Sequence, residues 1–244
     1  MNFKTGGFLT VIFLANIIQG ITGFAGTVLA MPFGIRLVGY EIAKPILNVL
    51  GLLSGIYVFA GNAKHVDRKE LLKIVSVMAA GIFMGIYIKD LFVGREQILY
   101  ILLGTLIIVL ALQGLYRTFR KEQTEHKASK WNIVLLPLAG IVHGIFVCGG
   151  PLLISYLTKQ IDEKTRFRAT ISTVWIFLNS IILVDDIRSG YWNVALIKTQ
   201  LIAIPILFAG MYVGSKLVKR MSQELFMKIT YILLVISGMS LLIK

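Results

Sequence analysis

The sequence predicts an all-α polytopic membrane protein built from two inverted repeats, each a broken, re-entrant helical hairpin followed by three transmembrane helices. Three observations lead there. Mean hydropathy is +0.81 and 57% of the 244 residues are hydrophobic, above the roughly 45–50% of soluble domains. The excess is gathered into eight charge-free runs. Those runs fall into the same order twice: one long, glycine-interrupted run, then three shorter ones.

In the first repeat, residues 1–116, the runs are 5–35, 45–63, 74–88 and 97–116. Residues 117–130 form a basic linker, predicted to be cytoplasmic, and its 14 residues are the longest hydrophilic stretch. In the second repeat, residues 131–244, the runs are 131–158, 169–184, 199–215 and 229–243. Six of the eight suit single spans of roughly 17–25 residues, with flanking Lys or Arg snorkelling to extend the short ones. The runs 5–35 and 131–158 are too long for one span and too short for two. The first carries Gly20, Gly23 and Gly26, and the second Gly144, Gly149 and Gly150 followed by Pro151, a residue suited to the first position of a new helix. Each is expected to be two half-helices joined by a bend at membrane depth. Such backbone is tolerated there only when buried in protein or lining a cavity.

A shift of 124 residues lays Gly20-Ile21 on Gly144-Ile145 and Gly26 on Gly150. The pairs Gly81/Gly85 and Gly210/Gly214 then fall in equivalent helices, where small residues permit close approach. Basic residues choose the chain path. If each long run crossed once, Lys and Arg would divide 13 to 12 between the two faces; if each is a hairpin returning to its own face, they divide 17 to 8. The positive-inside rule favours the hairpins, which give each repeat three crossings and so invert one relative to the other.

The net charge of +13 is therefore assigned to loops held against anionic lipid. No basic patch with interleaved exposed aromatics exists, so nucleic acid is not an expected partner. Cys148 is the only cysteine, which excludes an intrachain disulfide and, alone, a metal site. No cofactor is expected. An intramembrane enzyme would need a nucleophile–base or metal cluster at depth, and one His beside one Cys does not supply it. The N-terminal run has a counterpart later in the chain and is taken as structure rather than a signal peptide.

Half-helix N-termini at membrane depth present N–H groups and partial positive charge. Two of them converging at Gly26-Thr27 and Gly149-Gly150 would cradle an anion, and no acid lies inside the runs to oppose it. The expected substrate-lining residues are Gln19, Thr22, Gly23, Gly26, Thr27 and Asn48 in the first repeat, and His143, Gly149, Gly150, Ser172 and Asn179 in the second. Asn16 and Thr173 are further polar residues in the runs. Ser and Thr in membrane helices often bond their own backbone instead, and His143 could equally relay a proton or be an internally bonded core histidine. Asp185 and Asp186, beside Arg188, are expected at a helix end facing solvent.

The segments Gly20-Ile-Thr-Gly-Phe-Ala-Gly26 followed by Met31-Pro32, and Gly149-Gly-Pro-Leu-Leu-Ile-Ser-Tyr156 followed by Phe167-Arg-Ala-Thr170, resemble the sulfite exporter TauE/SafE family over essentially the whole chain. Phe24-Ala25-Gly26 and Cys148-Gly149-Gly150 each lack part of that family's fuller triple-glycine pattern. The resemblance implies a multi-pass inner-membrane permease that moves small sulfur-containing anions, sulfite or organosulfonates, outward by alternating access. A carboxylate or another small anion is the alternative cargo. The expected partners are the small anionic substrate and the lipid bilayer, with a homodimer as a further expectation. Arg168 occupies the family's Arg-Ala-Thr position, where it either neutralises substrate at the cytoplasmic mouth or serves the positive-inside rule.

Overall fold

The computed structural model describes residues 3–91, 96–120, 133–157, 160, 161 and 163–217, with isolated helical positions from 225 to 242. Among these residues the chain is helical throughout: α1 (Phe3–Thr22), α2 (Gly26–Val38), α3 (Tyr40–Asn62), α4 (Arg68–Leu91), α5 (Glu96–Arg120), α6 (Leu135–Phe146), α7 (Gly150–Leu157), α8 (Lys164–Arg188) and α9 (Val194–Leu217). Linker residues 121–130 and most of the predicted span 229–243 lie outside the described residues.

Both long runs break where their glycines predict. α1 stops at Thr22 and α2 starts at Gly26, while α6 stops at Phe146 and α7 starts at Gly150. The legs are unequal, however. α1 has 20 residues, or about 30 Å at 1.5 Å per residue, so it is long enough to cross a bilayer by itself rather than being a half-helix. α6 and α7 have 12 and 8 residues. Five described helices, α1, α3, α4, α8 and α9, are long and apolar enough to span a membrane.

The main helix pairings are α4 with α6, α1 with α9, and α3 with α8. Exchanging the halves turns the first pair into the second and the third into itself. The two exchanging interfaces use the same device: a Cβ on Gly81 or Gly85 would run into the α6 carbonyls of Pro137 and Ile141, and one on Gly210 or Gly214 into the α1 carbonyls of Phe13 and Ile17. Backbones approach this closely only where side chains are absent.

α3 and α8 run antiparallel. Lys44 meets Asp185 and Asp186, Asn48 donates to the Asn179 carbonyl at 3.0 Å, and a Cβ on Gly55 would meet the Ser172 carbonyl at 2.7 Å. The two ends of the bundle are tied by polar contacts. At one, Arg166 is 2.7 Å from Asp67, whose backbone N–H donates to Thr170 Oγ1. Burial pushes the Asp67 carboxyl up, but the N–H of Glu70 and the Arg166 charge outweigh it and hold it below its usual value. At the other end, Lys44 is fully buried, 2.6 Å from Asp186 and 3.3 Å from Asp185, and Lys89 lies 3.1 Å from Asp185.

Asp185 and Asp186 therefore do not face solvent as the sequence suggested. Asp186 is completely buried. A lysine four residues into α3 has no water at that depth, so it takes its counter-charge from α8.

Candidate functional site

The interior between the two interruptions holds a cavity lined by Gln19, Phe24, Thr27, Val28, Gly51, His143, Val147, Gly150, Trp175 and Asn179. It is small: about 10 Å³ will take a water-sized guest, room for roughly one water. No carboxylate is among the described residues that line it.

Each interruption is built on the same scheme. Gly23 donates its N–H to the Gln19 carbonyl at 2.7 Å, and Val147 donates to the His143 carbonyl at 2.7 Å. Both turn residues are left-handed, Gly23 at φ 84° and Val147 at φ 56°. The side chain one turn before each turn then receives a backbone N–H from beyond it. Gln19 Oε1 accepts from Gly26 N at 2.7 Å, and His143 Nδ1 accepts from Gly149 N at 3.4 Å. Each of these caps is held by the following long helix. Gln19 Nε2 donates to Ser54 Oγ at 2.9 Å, and His143 Nε2 lies 2.8 Å from Asn179 Oδ1. With Nδ1 accepting, the proton sits on Nε2, so His143 is the neutral donor to Asn179. Its ring stacks on Trp175 at 4.9 Å between centroids.

Of the expected lining residues, Gln19, Thr27, His143, Gly150 and Asn179 meet at the cavity, with Gly26, Gly149 and Asn48 one hydrogen bond away. Thr22, Gly23 and Ser172 do not join them. Thr22 Oγ1 accepts from the N–H groups of Phe24 and Ala25, both at 3.2 Å, while Ser172 faces the bare side of Gly23. The leading amides of α2 and α7 are thus partly taken up by Thr22, Gln19 and His143. Asn16 and Thr173 bond carbonyls of their own helices, Ile12 and Ala169.

Sequence reading passed over Ser54, Gly51 and Trp175. The signal was present in the shift of 124 residues, which pairs Gln19 with His143, Gly23 with Val147, Gly51 with Trp175, Lys44 with Arg168 and Asn48 with Ser172. Several donors and acceptors along these helices stay buried without a partner among the described residues: Asn48 Oδ1 on α3, and Arg168 Nε, Ser172 Oγ and Trp175 Nε1 on α8. Spaced at i, i+4 and i+7, the three on α8 share one face.

Two comparisons bear on this arrangement. The family model described as sulfite exporter TauE/SafE matches residues 8–241. A probable inner membrane transporter protein, TsaS of Comamonas testosteroni, is 26% identical over 190 residues, covering 74% of this chain and 74% of its own length. No solved structure matches the chain.

Proposed function

We propose, from the premise that this chain belongs to the sulfite exporter TauE/SafE family, that it carries small sulfur-containing anions, sulfite or an organosulfonate, out of the cell by alternating access. Family membership makes it a transporter of the inner membrane, not an enzyme. The cargo and the mechanism are our reading.

The observation that carries it is the pair of matched interruptions facing one cavity that contains donors and no carboxylate. Amides at two helix N-termini, the Gln19 amide and the neutral His143 supply partial positive charge without a competing anion. In this structure their acceptor atoms hold the Gly26 and Gly149 amides. An arriving anion would replace Gln19 Oε1 and His143 Nδ1 as acceptor, which couples occupancy to movement of both caps.

The inverted arrangement has support of its own. Equivalent helices α3 and α8 run antiparallel, as helices of two halves related by an axis across them would. The contact of Asp67 with Arg166, and that of Lys44 and Lys89 with Asp185, join helix ends that share a face only if the second broken segment returns to the side it came from. A single crossing would put them on opposite faces. Export also needs no coupling ion, since an anion leaving a negative interior gains about 2.3 kcal/mol per charge per 100 mV.

Proteoliposome flux with radiolabelled sulfite, methanesulfonate and acetate tests the proposal. Saturable sulfite or sulfonate flux is expected, and Gly150→Leu should abolish it with expression intact, because a side chain there grows toward Val28 Cγ2, already 3.4 Å from the Cβ position. If no anion crosses or competes, the reading is wrong. Cysteines at Lys69, Lys127 and Arg166 should all resist an impermeant thiol reagent added outside; labelling of only some would overturn the hairpin path.

A further inference from the structure

Two basic residues stand at equivalent places near the starts of α3 and α8, Lys44 and Arg168, 124 positions apart. Their surroundings differ. Lys44 is fully buried between two carboxylates, Asp185 and Asp186. Arg168 has no carboxylate partner among the described residues. Among the described residues it donates from a terminal guanidinium nitrogen to the Gly20 carbonyl, at 3.0 Å, an acceptor in the last turn of α1. Its Nε is buried and unpartnered, and one turn further along α8 the fully buried Ser172 Oγ is unpartnered too.

Both orphaned groups gather at one spot. A Cβ built on Gly23 would stand 3.1 Å from Arg168 Cγ, 3.7 Å from its Nε and 3.3 Å from Ser172 Oγ. The bare face of the left-handed glycine thus fronts a guanidinium edge and a hydroxyl. A buried cation is costly without a counter-charge, and an orphaned donor costs about 1–3 kcal/mol. At the equivalent place on α3 the chain answers the cation with Asp185 and Asp186; at this one the described residues offer only neutral atoms.

We infer that Arg168, Ser172 and Gly23 form a second anion subsite, separate from the central cavity, where the substrate's own oxyanion supplies the missing counter-charge. Guanidinium Nε–H and the Ser172 hydroxyl would each donate to a different oxygen of a small anion carrying at least two, as a sulfonate or sulfite does. Arg168 is only half-buried, so the subsite is approached from the α8 N-terminal end. Phe24, beside Gly23, lines the central cavity, and Trp175 with its unpartnered Nε1 is the next position on the same face of α8. The subsite therefore lies one step ahead of the cavity on a path of unfilled donors. This inference rests on the anion-transport reading and locates where the charge is first held.

The test is equilibrium binding of sulfite and of methanesulfonate to the full chain in neutral-lipid nanodiscs. Arg168→Gln should weaken binding by about tenfold or more, and Arg168→Lys, which keeps the charge but not the fork, by less. The decisive variant is Ser172→Asp. It gives Arg168 the internal carboxylate that Lys44 already has, so it should abolish binding while the melting temperature holds or rises. Unchanged affinity in a folded Ser172→Asp or Arg168→Gln protein overturns the subsite alone, with transport by wild type still standing. Absence of anion binding and flux in wild type removes the transport reading, and the subsite with it. A parallel series in discs containing anionic lipid separates a soluble anion from a lipid headgroup; if Arg168→Gln changes only headgroup binding, the proposal fails.

Discussion

At the first interruption the left-handed position is Gly23, Gln19 caps the helix beyond it, and a half-buried arginine without a carboxylate partner among the described residues stands alongside. At the second, the equivalent residues are Val147 and His143, and the cation equivalent to that arginine, Lys44, is sealed by Asp185 and Asp186. The backbone path is repeated almost bond for bond, whereas the charge is not. Two similar halves form the cavity, but of these two equivalent cations only Lys44 has a carboxylate partner among the described residues. A symmetric scaffold with asymmetric electrostatics distinguishes its two ends.

The comparison breaks most sharply at the sealed end. Asp186→Asn removes the nearer of two counter-charges from a fully buried lysine and leaves it Asp185 at 3.3 Å, so the loss should approach but not reach the roughly 3–5 kcal/mol of a fully broken buried pair. The melting temperature in detergent should fall far more than for Arg168→Gln, which removes a half-buried cation that has no internal carboxylate to strand. Equal losses in the two variants would mean that the two cations do the same structural work, and the asymmetry would lose its meaning.

Much of this was legible in the residues. Glycine clusters inside overlong apolar runs marked both interruptions, and Gly81/Gly85 and Gly210/Gly214 marked the close helix pairs, because each needs the absence of a side chain. The lengths of the legs were not legible. α1 gains a full span by starting at Phe3 and running through Lys4 and Gly6–Gly7, and apolarity does not say where a helix begins. Nor was the fate of Asp185 and Asp186, since pairing with Lys44 spans 141 and 142 positions and appears only once α3 and α8 are laid antiparallel. Ser172 and Thr173 were indistinguishable as a sequence pair. Thr173 bonds the Ala169 carbonyl while Ser172 faces Gly23, a difference of 100° around one helix.

The two caps provide an intermediate effect. If His143 serves only as the counterpart of Gln19, His143→Gln should preserve flux and stability to within about 1 kcal/mol, because an amide can accept from Gly149 and donate to Asn179. His143→Leu would leave both groups unmet, at about 1–3 kcal/mol for a buried orphan. Flux measured against pH distinguishes a cap from a proton relay. A cap predicts that His143→Gln keeps the wild-type pH profile; loss of pH-dependent flux in that variant alone would show that His143 moves a proton.

The smallest effect concerns the turn residues themselves. A β-branched side chain at φ 56° is held in a region that costs of order 1–3 kcal/mol, and packing supports it there, since Val147 is 2% exposed. Val147→Gly relieves the backbone but gives up buried methyl groups and adds chain entropy to the unfolded state. The terms oppose each other, so the melting temperature should move by only a few degrees in either direction. Gly23→Val has no such compensation. It brings the same left-handed cost and drives a Cβ to 3.1 Å from Arg168 Cγ and 3.3 Å from Ser172 Oγ, so it should both destabilise the protein and block sulfonate binding. Should Gly23→Val bind sulfonate as wild type does, the bare face of that glycine is not a ligand's place, and the two interruptions differ in packing alone.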